Sequence, residues 1–223
     1  MAEDDQTHIE RVPSETPNRF AAGPVAPEAF RVPAAGERMR VITAVDNQLV
    51  TGQDIVDTPV ADGRAVADPE RDLLKLAVVN RYEDAAPAVA FIRGFGLDAG
   101  ALASSVAHDS HNVVAVGASD AALADAINAV VEEEGGISAV GDDTHVLPLP
   151  IAGLMSDRSV DAVARRYTRL SRVVQEELGS PMDAPFMTLS FMALLVIPQL
   201  KLSDQGLFDG DAFTFVDRFV DAG

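Results

Sequence analysis

Apolar residues in the middle of the chain come in short, nearly unbroken runs and not in strict alternation. Residues 73–79, broken only by Lys75, and then 89–93, 101–107 and 113–116 read as strands, the first as one covered on both faces, since a strand with one wet face alternates with period two. Ser119 predicts the N-cap of a helix whose Leu123, Ile127, Val130 and Val131 follow helical spacing, and Gly135-Gly136 stops it. Residues 137–140 and 144–147 flank the turn Gly141-Asp142-Asp143 as a hairpin. The clearest periodicity belongs to a second helix. Val160, Val163, Tyr167, Leu170, Val174 and Leu178 recur every three or four residues, with Ser156 or Asp157 as cap and Gly179 as stop. Its outer face carries Arg158, Arg165, Arg166, Arg169 and Arg172, read as a solvated face forming ion pairs, with an anion-binding face as the other reading.

Upstream the pattern is weaker. Residues 1–37 hold Pro13, Pro17, Pro24, Pro27 and Pro33 without periodicity, which predicts an extended arm or a disordered leader. Residues 40–45 and 48–50 flank Asp46-Asn47, and Asp62-Gly63 between Val60 and Ala65-Val66 is a type I′ hairpin signal, so 38–67 reads as a small antiparallel β element. The expected fold class is α+β: a mixed, mostly antiparallel sheet with two main helices over residues 68–223, preceded by that β element and the proline-rich leader.

Composition changes this picture in a few places. At 223 residues and 48% hydrophobic, the chain can bury a sizeable core. A formal charge of -18 repels phosphate backbones and anionic headgroups, so no nucleic acid and no membrane surface is expected as partner. The 35 acids are 23 Asp plus 12 Glu, and the 17 bases are 15 Arg plus 2 Lys, Lys75 and Lys201. That balance suggests a halophilic surface, in which hydrated carboxylates keep the protein soluble while salt screens their repulsion. Cysteine is absent, which excludes disulfides, thiolate nucleophiles and cysteine metal sites. The start, MAEDDQTHIE, has no basic region ahead of an apolar stretch. The longest apolar run, 186–200, contains Thr188, Ser190, Pro198 and Gln199 and falls short of the ~20 residues of a spanning helix. It reads as buried core in a cytoplasmic protein.

Candidate chemistry concentrates at His108, Asp109, Ser110, His111 and Asn112, five hydrogen-bonding side chains between two apolar runs. As a metal site, the loop offers two imidazoles where three or four ligands are needed. As a hydrolytic triad, Ser110 beside a His and an Asp is awkward, because triad members meet through the fold and not along the chain. As a substrate-contacting loop it needs only hydrogen-bonding capacity, and imidazole titrates near neutrality. As a plain turn, its Asp109, Ser110 and Asn112 would satisfy their own backbone. His145, alone in a hairpin strand, and His8, in the leader, read as surface or packing residues. Gly94-Phe95-Gly96 lacks the third glycine and the helix start of a nucleotide loop. Residues 148–157 differ in kind: Pro148, Pro150 and Gly153 fix the backbone leading into the second helix, a costly rigid connection if it only joined elements.

Five strings carry a resemblance: Val79-Asn80-Arg81-Tyr82, Gly94-Phe95-Gly96-Leu97, Ala103 through Asn112, Leu147 through Asp157, and Ser180-Pro181 through Phe191. In order and spacing, from about residue 25 to the end, the chain resembles the C-terminal region of the microbial adenine deaminases of the amidohydrolase superfamily. The resemblance implies hydrolysis of adenine to hypoxanthine and ammonia in purine salvage, by a hydrolase whose (β/α)₈ barrel binds manganese or iron and precedes the domain matched here. The barrel's His-x-His pair has no counterpart among the four histidines, so no metal and no other cofactor is expected on this chain.

On that resemblance the leader corresponds to a linker leaving the barrel, and 38–67 to strands that complete a small β domain. The chain is then a fragment or a separate subunit, inactive by itself. Its implied partners are adenine, a metal-binding barrel segment or subunit, and further copies of the enzyme in a homo-oligomer. The loop His108 to Asn112 is expected to face the barrel mouth and close or orient the adenine site; no catalytic residue is assigned outright. The alternative is a noncatalytic module that binds a nucleobase or assembles oligomers. A self-sufficient hydrolase using Ser110 or a His-x-x-His metal is the third reading.

Overall fold

The computed structural model describes residues 2–3, 6–7 and 15–220; His8 and Pro13 lie outside the described residues. Its strands are β1 (Arg38–Ala44), β2 (Thr51–Asp57), β3 (Leu74–Val79), β4 (Ala88–Arg93), β5 (Ala101–Ser104), β6 (Val113–Gly117), β7 (Gly136–Val140), β8 (Thr144–Pro148), β9 (Leu200–Ser203), β10 (Gly206–Asp209), β11 (Thr214–Phe215) and β12 (Phe219–Val220), besides short two-residue pairings. Its helices are α1 (Asp120–Glu132), α2 (Val160–Arg172) and α3 (Pro185–Ser190). Nine strands form one sheet in the order β8-β7-β5-β6-β3-β4-β1-β12, with β2 pairing along β1. Its pairings are antiparallel except that of β1 with β4. The expected α+β class, with a mostly antiparallel sheet, is what forms.

Both faces are covered along the central strands, which is why these read as continuous apolar runs. One face packs Met39, Val41, Ala77, Phe91, Ala103 and Ala115 against α1 and the N-terminal arm. The other packs Ile42, Leu76, Val78, Ile92, Leu102 and Val114 against the end of α2, α3 and the β9-β10-β11 sheet. Ser119 caps α1 as predicted, its Oγ accepting from Ala122 N at 3.1 Å.

Several expectations change. Residues 38–57 do not form a small β element of their own: β1 and β2 enter the main sheet through the parallel β1–β4 pairing, a nonlocal contact that no turn signal announces. Only Val60–Ala61 and Arg64–Ala65 form a separate small sheet, in which Arg64–Ala65 pairs on its other side with Val32–Pro33, and their Asp62-Gly63 turn has φ of 50° and 74°, as type I′ requires. The second strand of the first hairpin is 51–57 and not 48–50. Residues 45–50 are instead loop, held where the Asp46 carboxylate accepts from Asp183 N (2.8 Å) and Ala184 N (3.2 Å). From residue 15 the leader is an arm laid on the body, with Phe30 and Val32 buried and Val25 exchanging hydrogen bonds with the Asn128 amide.

The second helix begins at Val160 after Ser159, not at Ser156 or Asp157, and Ser156 Oγ accepts from Arg158 N instead. It meets the core from Val163 onward, and Val160, placed by periodicity on the buried face, is 84% exposed. A π-helical turn, Val173–Glu177, extends it to Leu178. Its four arginines, and Arg158 just ahead of it, are exposed, and none of the ion pairs among the described residues uses them. The run 186–200 is buried through α3 but then turns outward, leaving Val196 69% exposed. No helix among the described residues is long and apolar enough to cross a membrane.

Both lysines are internal. Lys75 Nζ donates to Phe30 O (2.9 Å) and pairs with Asp120 Oδ1 (2.5 Å), pinning the arm to the start of α1. Lys201, fully buried on β9, donates to Leu49 O at 2.7 Å and faces no carboxylate within ion-pair distance among the described residues. Burial pushes its ammonium down to about 8 from the ordinary 10.5. Between those values the unfolded chain binds the extra proton, so stability rises with pH across the window and the deficit is complete below it. Urea titrations from pH 7.5 to 9.5 are expected to show this rise in the parent chain and its loss in Lys201→Met, whose stability at pH 7.5 stays within about 1 kcal/mol of the parent. A rise that survives the substitution would assign it to another group.

Candidate functional site

Because both sheet faces are buried, polar side chains collect at the strand ends. Val79, Ser104, Val113 and Pro148 lie at one such end, where β3 and β5 run out and β6 begins. Here the turn after β3 (80–82), the loop 105–112 and the turn 148–155 meet. Ser105, fully buried, joins two of them: its Oγ donates to Gly153 O (2.6 Å) and accepts from Gly136 N (2.8 Å). The 148–155 turn is closed on itself by paired hydrogen bonds between Ile151 and Met155.

The five residues of the candidate loop are held from outside. His108 N donates to Ser190 O at the end of α3 (2.9 Å), and its ring stacks on Phe191 with centroids 5.3 Å apart and an interplanar angle of 18°. The His111 ring stands edge-on to it at 5.6 Å. His111 N donates to Ala107 O (2.7 Å), closing the loop. Ser110 O accepts from Tyr82 Oη (2.9 Å), and the buried Asn112 Oδ1 accepts from Arg81 N (3.3 Å). Asp109 and Ser110 are exposed at the tip. With Val196, Asp204 and Phe215 they line a groove of about 260 Å³.

This arrangement sorts the readings of the loop. No hydrogen bond among the described residues joins Ser110 Oγ to an imidazole, so no triad is assembled. Nor does any tie the Asp109, Ser110 or Asn112 side chain to the loop's own backbone, so it is not a self-satisfied turn. Among the described residues no group of three or more His, Asp or Glu is placed to hold a metal ion. His145 sits half-buried on the edge strand β8, opposite Ala139. Gly94 and Gly96 are a structural turn, both N–H groups donating to the Asp72 carboxylate (2.6 and 2.8 Å).

Arg81, Tyr82, Ser105 and Phe191 were not named as site residues by sequence reasoning. The signal for the first two is a cation and a phenol directly after an all-apolar strand, where the chain has just left the core. Phe191 follows a helix whose end could be placed only in three dimensions.

Burial, the neighbouring His108 and Arg81 lower the proton affinity of His111 below the ordinary 6.5, in that order of weight, against an opposing pull from Asp109. His111 is therefore neutral at pH 7. Below 6.5 the unfolded chain takes up the proton first, so this group withdraws stability as pH falls toward its folded pKa. An NMR titration is expected to show His111 titrating below 6.5. His111→Gln is expected to reduce the loss of stability between pH 7 and pH 5, by about 1.4 kcal/mol for each pH unit of the shift. Titration of His111 at or above 6.5 would contradict the burial of this ring.

Comparison with known proteins places the chain. The family model described as the adenine deaminase C-terminal domain matches residues 48–214. The chain is 74% identical over 222 residues to an adenine deaminase of Salinibacter ruber, covering 99% of this chain and 41% of that protein. It is 53% identical over 210 residues to one from a Sulfurovum species, and 49% identical over 187 residues to one from Methanosarcina mazei, covering 94% and 83% of this chain. It thus spans about two-fifths or less of the length of these relatives, 41%, 38% and 33%. With three-quarters of its length inside the matched region, the chain belongs to the adenine deaminase C-terminal domain family.

Proposed function

We propose that this chain serves as the C-terminal part of an adenine deaminase, converting adenine and water to hypoxanthine and ammonia. In this role its loop His108 to Asn112 closes or orients an adenine site that a metal-binding barrel on another segment or subunit provides. The observation that carries the reading is convergence: most of the strings that resemble the family, at 79–82, 103–112 and 147–157 and the end of 180–191, meet at one end of the sheet around two imidazoles. No group of three or more His, Asp or Glu among the described residues is placed to hold a metal ion, and in this reading the manganese or iron that the resemblance implies is held by the barrel.

What the chain's own groups can do is bind and orient. A neutral imidazole offers one donor and one acceptor, and the exposed Asp109 carboxylate accepts from N–H groups such as the adenine amine. A site whose polar groups are paired only by the right base rejects bases that leave them unpaired. The groove beside Asp109 and Ser110, with Val196 and Phe215 exposed on its wall, is open to a covering domain. The setting we infer is the cytoplasm, with the full enzyme a homo-oligomer.

In a protein that joins this chain to its barrel, His108→Ala and His111→Ala are each expected to lower kcat/KM for adenine at least tenfold while the melting temperature shifts little. Unchanged deamination would remove the role assigned to the loop. We also infer that the acidic surface is an adaptation to salt. The melting temperature of the chain is expected to climb steadily from 0.1 M to molar KCl, and a flat response would contradict this.

A further inference from the structure

Arg81 is 5% exposed, yet no carboxylate lies within ion-pair distance among the described residues, in a chain with 35 acidic residues. A buried guanidinium without a counter-ion is costly, and such groups persist where their hydrogen bonds do something else. Nη1 donates to Ala152 O (2.7 Å) in the 148–155 turn, and Nη2 donates to Tyr82 Oη (2.9 Å). Tyr82 Oη in turn donates to Ser110 O (2.9 Å) in the 108–112 loop. The guanidinium also lies over the Tyr82 ring, 4.8 Å from its centroid. The Arg81 backbone extends the same web, N–H to Asn112 Oδ1 and C=O from Ala21 N–H of the arm. Gly153 (φ 68°) is shaped to this clamp, because a Cβ there would collide with Arg81 Nη1.

We propose that Arg81 is a positioning residue that locks the 108–112 loop and the 148–155 turn into one rigid lip, so that neither segment opens without the other. A planar fork with two occupied ends can hold a carbonyl and a phenol at once; a lysine ammonium at the end of a flexible stem cannot reproduce that geometry. The groups facing the His111 ring are His108, Asp109 and Arg81, so the same residue also supplies the fixed positive charge against which that imidazole titrates. The inference rests on the functional reading above only for its purpose; the coupling is a property of the chain alone.

Hydrogen exchange on the full chain tests it, with NMR titration of His111 alongside and no substrate present. Arg81→Met is expected to speed exchange at least tenfold in peptides covering both 106–112 and 148–156, and to raise the His111 pKa toward 6.5. Arg81→Lys, which keeps the charge, is expected to restore the His111 titration in part but not the shared protection. Tyr82→Phe, which cuts only the branch to Ser110, is expected to loosen 106–112 and leave 148–156 protected. If Arg81→Met loosens one segment only, or neither, the lip does not exist. If Arg81→Met fails to fold, the other two variants still decide: a Tyr82→Phe chain with 106–112 unchanged, or an Arg81→Lys chain with both segments as protected as the parent, overturns the proposal. Failure here would leave the assignment to adenine untouched, since none of these readouts involves the base.

Discussion

The constraint on which the rest of the structure depends is that the central strands of the nine-stranded sheet are covered on both faces. Strands β3, β5, β6 and β7 have no exposed position. A polar side chain inside such a layer must find its partner within the protein, as Ser138 does by donating to Ala126 O at 2.7 Å. Groups meant to meet a ligand can therefore stand only where strands run out. The two ends of the sheet have divided the work. At one, Asp72 ties down Gly94 and Gly96, and Ser180 Oγ donates to Phe95 O at 2.6 Å, so these polar groups are consumed by internal bonds. At the other, the polar groups hold a loop whose tip remains free.

The charge distribution follows from the same constraint. Burying a carboxylate costs more than leaving it in water, so the many acids stay outside and supply no counter-ion to Arg81 or Lys201. Both lysines are buried, so the exposed cations among the described residues are arginines, including the four on α2 and Arg158 just ahead of it. The acidity thus describes how the protein meets solvent. The interior behaves as in any compact domain, with each buried cation donating to a backbone carbonyl and Lys75 also pairing with Asp120.

Much of the fold could be read from the sequence because its rules are local. The continuous runs of β3, β4 and β6, the Ser119 cap and the Asp62-Gly63 turn each depend on residues a few positions apart. What was not legible is nonlocal. The parallel β1–β4 pairing joins residues fifty apart, Val41 with Phe91 among them, and carries 38–57 into the main sheet. The strand β2 has one exposed face and carries Gly52, Gln53, Asp54 and Asp57, so its residues resemble a loop. The candidate loop stood out by composition, but its supports did not. Arg81, Ser105 and Phe191 lie in three separate segments, and nothing in their spacing says that they converge on His108 to Asn112.

The site's own electrostatics narrow what it can accept. Arg81 is sealed behind Tyr82 and the 148–155 turn, so its charge sets the local potential but is not presented to a ligand. The accessible groups are Asp109, Ser110 and, on the groove wall, Asp204, whose Oδ2 accepts from the Asn80 amide at 2.9 Å. Two carboxylates at the opening of a chain with charge -18 disfavour a phosphate. On the same loop as Asp109 stands the His111 imidazole, whose proton affinity burial lowers and which in its neutral form offers one donor and one acceptor. Under the proposed function, this combination selects the free base over its nucleotides. In that reading the selection comes from where the fold lets charges stand: acids at the groove, the Arg81 cation locked inside, and on the loop beside Asp109 a ring whose proton affinity burial lowers.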